Sequence, residues 1–154
     1  RSTLFPYTTL FRSLADALAA VRALGMQTAL HTAGMYPQRL AALLPQLDWV
    51  GLDIKAPAHR HDAITATPGS AGRPRQALRA LADSGIDFEC RTTWHPGLFS
   101  ASELLALADE LRASGVTCWA VQECRTPAAP AWTLTPEQIR QLGAGFERFT
   151  LRRA

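Results

Sequence analysis

No apolar run in this chain approaches the length of a membrane span, and there is no long linker, low-complexity tract or internal repeat. Those absences point to a single domain. Cysteine is scarce: Cys90, Cys118 and Cys124 are odd in number and widely spaced, which excludes a disulfide framework and fits a reducing cytoplasm. Their spacing matches no metal-ligand pattern. Cys90 and Cys118 fall in apolar, strand-like runs and read as buried structural thiols, whereas Cys124 lies near a strand end. Basic residues are plentiful but unclustered. The net charge of +3 and pI near 9.1 rest on arginines scattered singly, with only Arg152 and Arg153 adjacent, so no nucleic-acid surface is expected. No Ser-His-Asp motif, P-loop or glycine-rich dinucleotide fingerprint occurs.

With 154 residues, 47% of them hydrophobic and 19% charged, the chain can bury one core. From Leu14 onward, helical and strand-like segments alternate across short connections, the signature of repeated parallel βα units. Leu14, Leu18, Val21 and Leu24 keep helical spacing before Gly25, and Met26 to Thr32 then reads as a strand. Pro37 opens a helix with Leu40, Leu43 and Leu44 on its buried stripe. A loop through His59, His61 and Thr67 to Ser70 leads to a helix from about Pro74 to Ser84, stopped at Gly85. Asp87 to His95 is strand-like. Ser100 or Ser102 can cap a helix over Glu103 to Ser114, and Val116 to Cys124 is the last clear strand. After a Pro-rich loop, Thr126 to Pro136, comes a helix from Glu137 to about Ala144, then Phe146 to Leu151 as a candidate short strand. The expectation is an α/β domain with about four parallel strands and flanking helices.

Asp48 to Lys55, Asp-Trp-Val-Gly-Leu-Asp-Ile-Lys, is the most informative stretch. Alternation groups Val50, Leu52 and Ile54 on one face and Gly51, Asp53 and Lys55 on the other. A carboxylate and an ammonium thus reach the carboxyl-end rim, where parallel α/β folds bind ligands. The same periodicity puts Glu89, Arg91, Thr93 and His95 together, and Ala120 with Gln122 and Cys124. Three strands therefore offer Asp53, Lys55, Arg91, His95 and Gln122 to one rim. Two readings stand level: a grip on a polar ligand, or an interior ion-pair layer that is purely structural. His59 and His61 have no Cys or acidic partner at ligand spacing and predict no metal site.

Residues Thr3 to Ser13 share none of the alanine-rich character that begins at Leu14. The string is similar to an in-frame translation of a sequencing-adapter oligonucleotide. Residues 1–13 are therefore expected to be non-native, and residues 14–154 to be the later part of a larger domain.

Three ordered segments resemble the radical S-adenosylmethionine activating enzymes, most of all the anaerobic ribonucleoside-triphosphate reductase activating proteins, with pyruvate formate-lyase activating enzymes next. They are Leu30 to Gly34, Asp48 to Pro57 and Arg91 to Gly97, supported by Ile64 to Ser70 and by Gln122 to Arg125. The resemblance spans residues 14 to 154. It implies the C-terminal part of a partial (β/α)6 barrel in which a [4Fe-4S] cluster reduces S-adenosylmethionine, and the resulting 5′-deoxyadenosyl radical takes a hydrogen from a glycine of the partner enzyme. Asp53 and Lys55 then look like contacts to S-adenosylmethionine, with Arg91 and, more weakly, Thr32 and Gln122. The partners implied are a glycyl radical enzyme and an electron donor such as flavodoxin or ferredoxin, with neither nucleic acid nor membrane involved. Two family elements are missing, the Cys-x3-Cys-x2-Cys loop and the Gly-Gly-Glu-Pro motif, so these 154 residues are expected to be inactive alone. They are also expected to show an unpaired strand edge and exposed apolar surface. Two rivals remain: another βα-barrel enzyme using Lys55 as a Schiff-base amine, and a non-catalytic module that docks a partner.

Overall fold

The computed structural model describes residues 13–124 and 134–153, so residues 1–12, Arg125 and most of the expected Pro-rich loop lie outside it. Among the described residues the elements are α1 (Leu14–Ala23), β1 (Ala29–Thr32), α2 (Pro37–Leu43), β2 (Trp49–Asp53), α3 (Ala58–Thr65), α4 (Gly72–Ala82), β3 (Asp87–Trp94), α5 (Ala101–Ala113), β4 (Cys118–Glu123), α6 (Pro136–Gly143) and β5 (Arg148–Arg152). The short strand suggested by Phe146 to Leu151 forms as β5, which makes five strands rather than about four.

All five strands run parallel and pair in chain order, β1-β2-β3-β4-β5. Each step then needs a crossover, and crossovers are right-handed almost without exception, so the connecting helices fall on one face of the sheet. That face holds the core. Val50, Leu52, Cys90, Trp94, Trp119 and Val121 from the strands meet Leu40, Leu78, Leu81, Leu104, Leu107, Leu111 and Leu142 from the helices. The other face presents His31, Asp53, Arg91, Gln122 and Arg152, a polar set suited to water or to a ligand.

Helix ends follow their capping residues. Ser100 rather than Ser102 caps α5, in a reciprocal box in which its hydroxyl accepts the Glu103 N–H and the Glu103 carboxylate accepts the Ser100 N–H. The Ser100 N–H, then His59 and the Ser100 hydroxyl, pull the Glu103 carboxyl down to about 2. Thr135 and Gln138 repeat the box at α6. Gly34, at φ +68°, closes the turn after β1, where a Cβ would press on Ala77 and Leu52 at 2.9 Å. Glycine there lets α4 pack against the end of β1.

Two expectations need correction. The stretch through His59 and His61 is helical, not a loop. It carries no broad apolar stripe and is held by polar burial: His61 is 1% exposed, with Nδ1 3.1 Å from Ser70 Oγ. Asp62 accepts the N–H groups of Gly69, Ser70 and Ala71, tying the helix to the start of α4. Burial, then the nearby Arg75 cation, lowers the His61 pKa. The first strand also begins at Ala29 instead of Met26. Thr28 is already committed: its N–H donates to the Asp48 carboxylate at 2.7 Å, and its carbonyl accepts from Asp48 and Trp49.

Candidate functional site

The end of β2 is fixed by backbone and hydroxyl bonds before any charge is considered. Ile54 N–H donates to Arg91 O at 2.9 Å, carrying the β2–β3 pairing one residue beyond the strand. The buried Thr92 hydroxyl donates to Ile54 O at 2.9 Å and accepts from Trp119 Nε1 at 3.1 Å. Asp53 and Arg91 are direct register partners on the polar face.

That register brings three charges together. Asp53 Oδ1 accepts from Arg91 Nη2 at 2.7 Å and Nε at 3.1 Å, while Oδ2 accepts from Lys55 Nζ at 3.1 Å. One carboxylate lies between two cations. Their side chains remain 29% (Asp53), 25% (Arg91) and 42% (Lys55) exposed, so the pairing is real but not sealed from solvent. A ligand can exchange with each internal bond without opening the core. Lys55 is also the single lysine of the chain, against fifteen arginines. A compact ammonium with three rotatable donors stands at this position, whereas planar guanidinium groups serve every other basic site.

Gln122 lies on the same face of β4, in register with Thr93 of β3 and Arg152 of β5. Thr32 does not join this group. It pairs in register with Leu52 on the helix-covered side, and its hydroxyl accepts the Gly34 N–H at 3.1 Å. His31, its neighbour, faces the polar side over Gly51, where a Cβ would meet the ring, and stands edge-on to Trp49. His95 follows β3, and its Nδ1 accepts the Gly97 N–H at 3.0 Å.

Sequence reasoning missed one charged pair. Arg152 Nη2 donates to Glu89 Oε1 at 2.8 Å, reaching diagonally across β4 at the level of the fully buried Ala120. Alternation had placed Glu89 on this face, but only the position of β5 reveals its partner.

Among the described residues no group of three His, Cys, Asp or Glu could hold a metal ion. The chain's cysteines do not fit a [4Fe-4S] cluster. Cys90 is 0% exposed on the helix-covered side, where burial pushes its thiol well above the usual range. Cys118, read from the sequence as buried, is only partly so: it is offset by one from Trp119, the register partner of Cys90, and points to the opposite face. Cys124 lies past the end of β4.

Beside β1, at the edge of the sheet among the described residues, a cavity of about 640 Å³ is lined by Leu14, Leu30, Thr32, Tyr36, Leu40 and Leu43, among others. Leu14 and Tyr36 are 48% and 64% exposed. No described helix is long and apolar enough to cross a membrane.

No protein-family profile and no curated protein sequence matches the chain. A solved structure does: a domain of pyruvate-formate lyase-activating enzyme from Bacteroides vulgatus ATCC 8482, with a TM-score of 0.72, 14% identity, and coverage of 90% of this chain and 88% of that one. The helix-backed parallel sheet that bears the Asp53, Lys55 and Arg91 cluster thus shares the fold of that domain, as the resemblance implied.

Proposed function

We propose that this chain is the S-adenosylmethionine-gripping part of an activase for a glycyl radical enzyme. The reading rests on one observation: the Asp53 carboxylate lies between Lys55 and Arg91 at the carboxyl-end rim of a polar sheet face. The likeness in fold to a pyruvate-formate lyase-activating enzyme domain supports it.

The donor set suits the cofactor. S-adenosylmethionine carries an ammonium, a carboxylate and ribose hydroxyls. Asp53 can accept from the ammonium or the hydroxyls, and the Arg91 fork and Lys55 ammonium can donate to the carboxylate. Gln122 joins them from β4, while Thr32, on the other face, stands apart from the set. A [4Fe-4S] cluster, which these residues do not hold, supplies the electron in such enzymes. The task of this chain is accordingly to bind and orient the cofactor, and the 154 residues alone do not cleave it. Anaerobic ribonucleoside-triphosphate reductase is the narrower target, and flavodoxin or ferredoxin the class of electron donor.

Calorimetric titration of S-adenosylmethionine into the full chain tests this. Asp53→Asn, Lys55→Met and Arg91→Met should each weaken binding about tenfold or more, since a hydrogen bond to a charged group contributes about 1.5–3 kcal/mol. Equal affinity across all four proteins would refute the site. Borohydride capture of a carbonyl compound on Lys55 would instead support the Schiff-base alternative.

A further inference from the structure

We propose that Arg75, backed by Glu110, is a positioning residue for Lys55, an inference that rests on the ligand-binding reading of Lys55. Lys55 stands outside regular structure, because β2 ends at Asp53 and α3 begins at Ala58. A residue in such a connection has two free backbone dihedrals, and small rotations there swing a long side chain through several ångströms. Here the carbonyls on both sides of Lys55 are held. Ile54 O accepts the buried Thr92 hydroxyl at 2.9 Å, and Ala56 O accepts Arg75 Nη2 at 2.9 Å. Ala56 itself is 0% exposed.

Arg75 comes from α4 and is 13% exposed. Its Nε donates to Glu110 Oε1 at 2.7 Å, and its Nη2 also approaches Glu110 Oε2 at 3.2 Å, so a carboxylate from α5 fixes the plane of the guanidinium. A simple tie between α4 and α5 would need only the carboxylate contacts. The additional bond to Ala56 O is the one that bears on Lys55, and it converts a helix–helix contact into a support for the rim.

Lys55 being the sole lysine, reductive ¹³C-methylation of the full chain labels only its Nζ and the α-amino group, and dimethylation keeps the charge. The wild-type Lys55 signal should lie away from its position in the denatured chain. Arg75→Met should collapse it toward that position. Arg112→Met, which removes a 26%-exposed guanidinium from the Ala144 and Leu142 carbonyls, should leave it in place. Glu110→Gln, which loosens the guanidinium while sparing its bond to Ala56, should move the signal part of the way and keeps the test valid if Arg75→Met fails to fold. An unchanged Lys55 signal in the folded variants, or an equal shift in Arg112→Met, overturns the proposal. S-adenosylmethionine added to the wild type separates the two claims. If it shifts the signal while the Arg75 and Glu110 variants do not, binding stands and positioning falls; the reverse pattern retains positioning and refutes the ligand.

Discussion

A double-mutant cycle on Asp53 and Arg91 measures whether their pair is an open grip or a sealed strut. Asp53→Asn keeps the shape but removes the charge, Arg91→Met keeps the stem but removes the fork, and the double variant removes both. Two donors from Arg91 converge on Asp53 Oδ1, at 2.7 and 3.1 Å, with side chains a quarter to a third exposed. Fully exposed pairs couple by about 0.2–1 kcal/mol, and breaking a buried pair costs about 3–5 kcal/mol. A two-donor contact at this intermediate exposure should couple by about 1–2 kcal/mol, the range in which a ligand making a few charge-assisted bonds can replace it. Urea unfolding of the four proteins at neutral pH gives the coupling from their midpoints and slopes. A value above about 3 kcal/mol would mean a desolvated structural pair and would defeat the reasoning. A value near zero would mean that the pair does not persist in solution.

Thr92→Val removes a hydroxyl that serves both Ile54 O and Trp119 Nε1, and leaving those buried groups unpaired should lower stability by about 1–3 kcal/mol in the same urea assay. Glu103 adds a pH dependence whose sign is fixed: its carboxyl titrates near 4.5 unfolded and about 2 folded, so its stabilisation is complete above the unfolded value and disappears as pH falls through the folded one. Glu103→Gln should flatten that part of the acid unfolding curve, and an unchanged acid midpoint would refute the capping-box assignment.

Periodicity made the strands and most helices legible because their apolar residues are packed at regular spacing. Leu104, Leu107, Ala108 and Leu111 of α5 are all buried. Gly25, Gly85 and Gly115 mark helix stops, each with a positive φ. α3 was opaque for the opposite reason. Its only fully buried anchor is a histidine, and its link to α4 is a carboxylate accepting backbone N–H groups, neither of which leaves an apolar rhythm. At the candidate site, alternation grouped Asp53 with Lys55 in β2 and Arg91 with Glu89 in β3, but the β2–β3 register is what sets Asp53 beside Arg91. Thr32, which only the resemblance singled out, depends on register as well. Its nearness to a strand end was legible, but which face it took depended on the β1–β2 register. The Arg75 and Glu110 support had no sequence signal, because it joins residues of two helices to a carbonyl in a third segment.

The pairing of strands in chain order bears on how the molecule is built. Each new strand finds its partner in the strand made just before it: Trp49 beside Ala29, Asp87 beside Trp49, Trp119 beside Cys90 and Arg148 beside Cys118. No described strand waits for a distant one to be synthesised, which keeps loop-closure entropy low for a parallel sheet. Growth from a ribosome can then proceed one crossover at a time, and the contact between Asp53 and Arg91 becomes possible as soon as β3 docks on β2, before β4 and β5 have emerged.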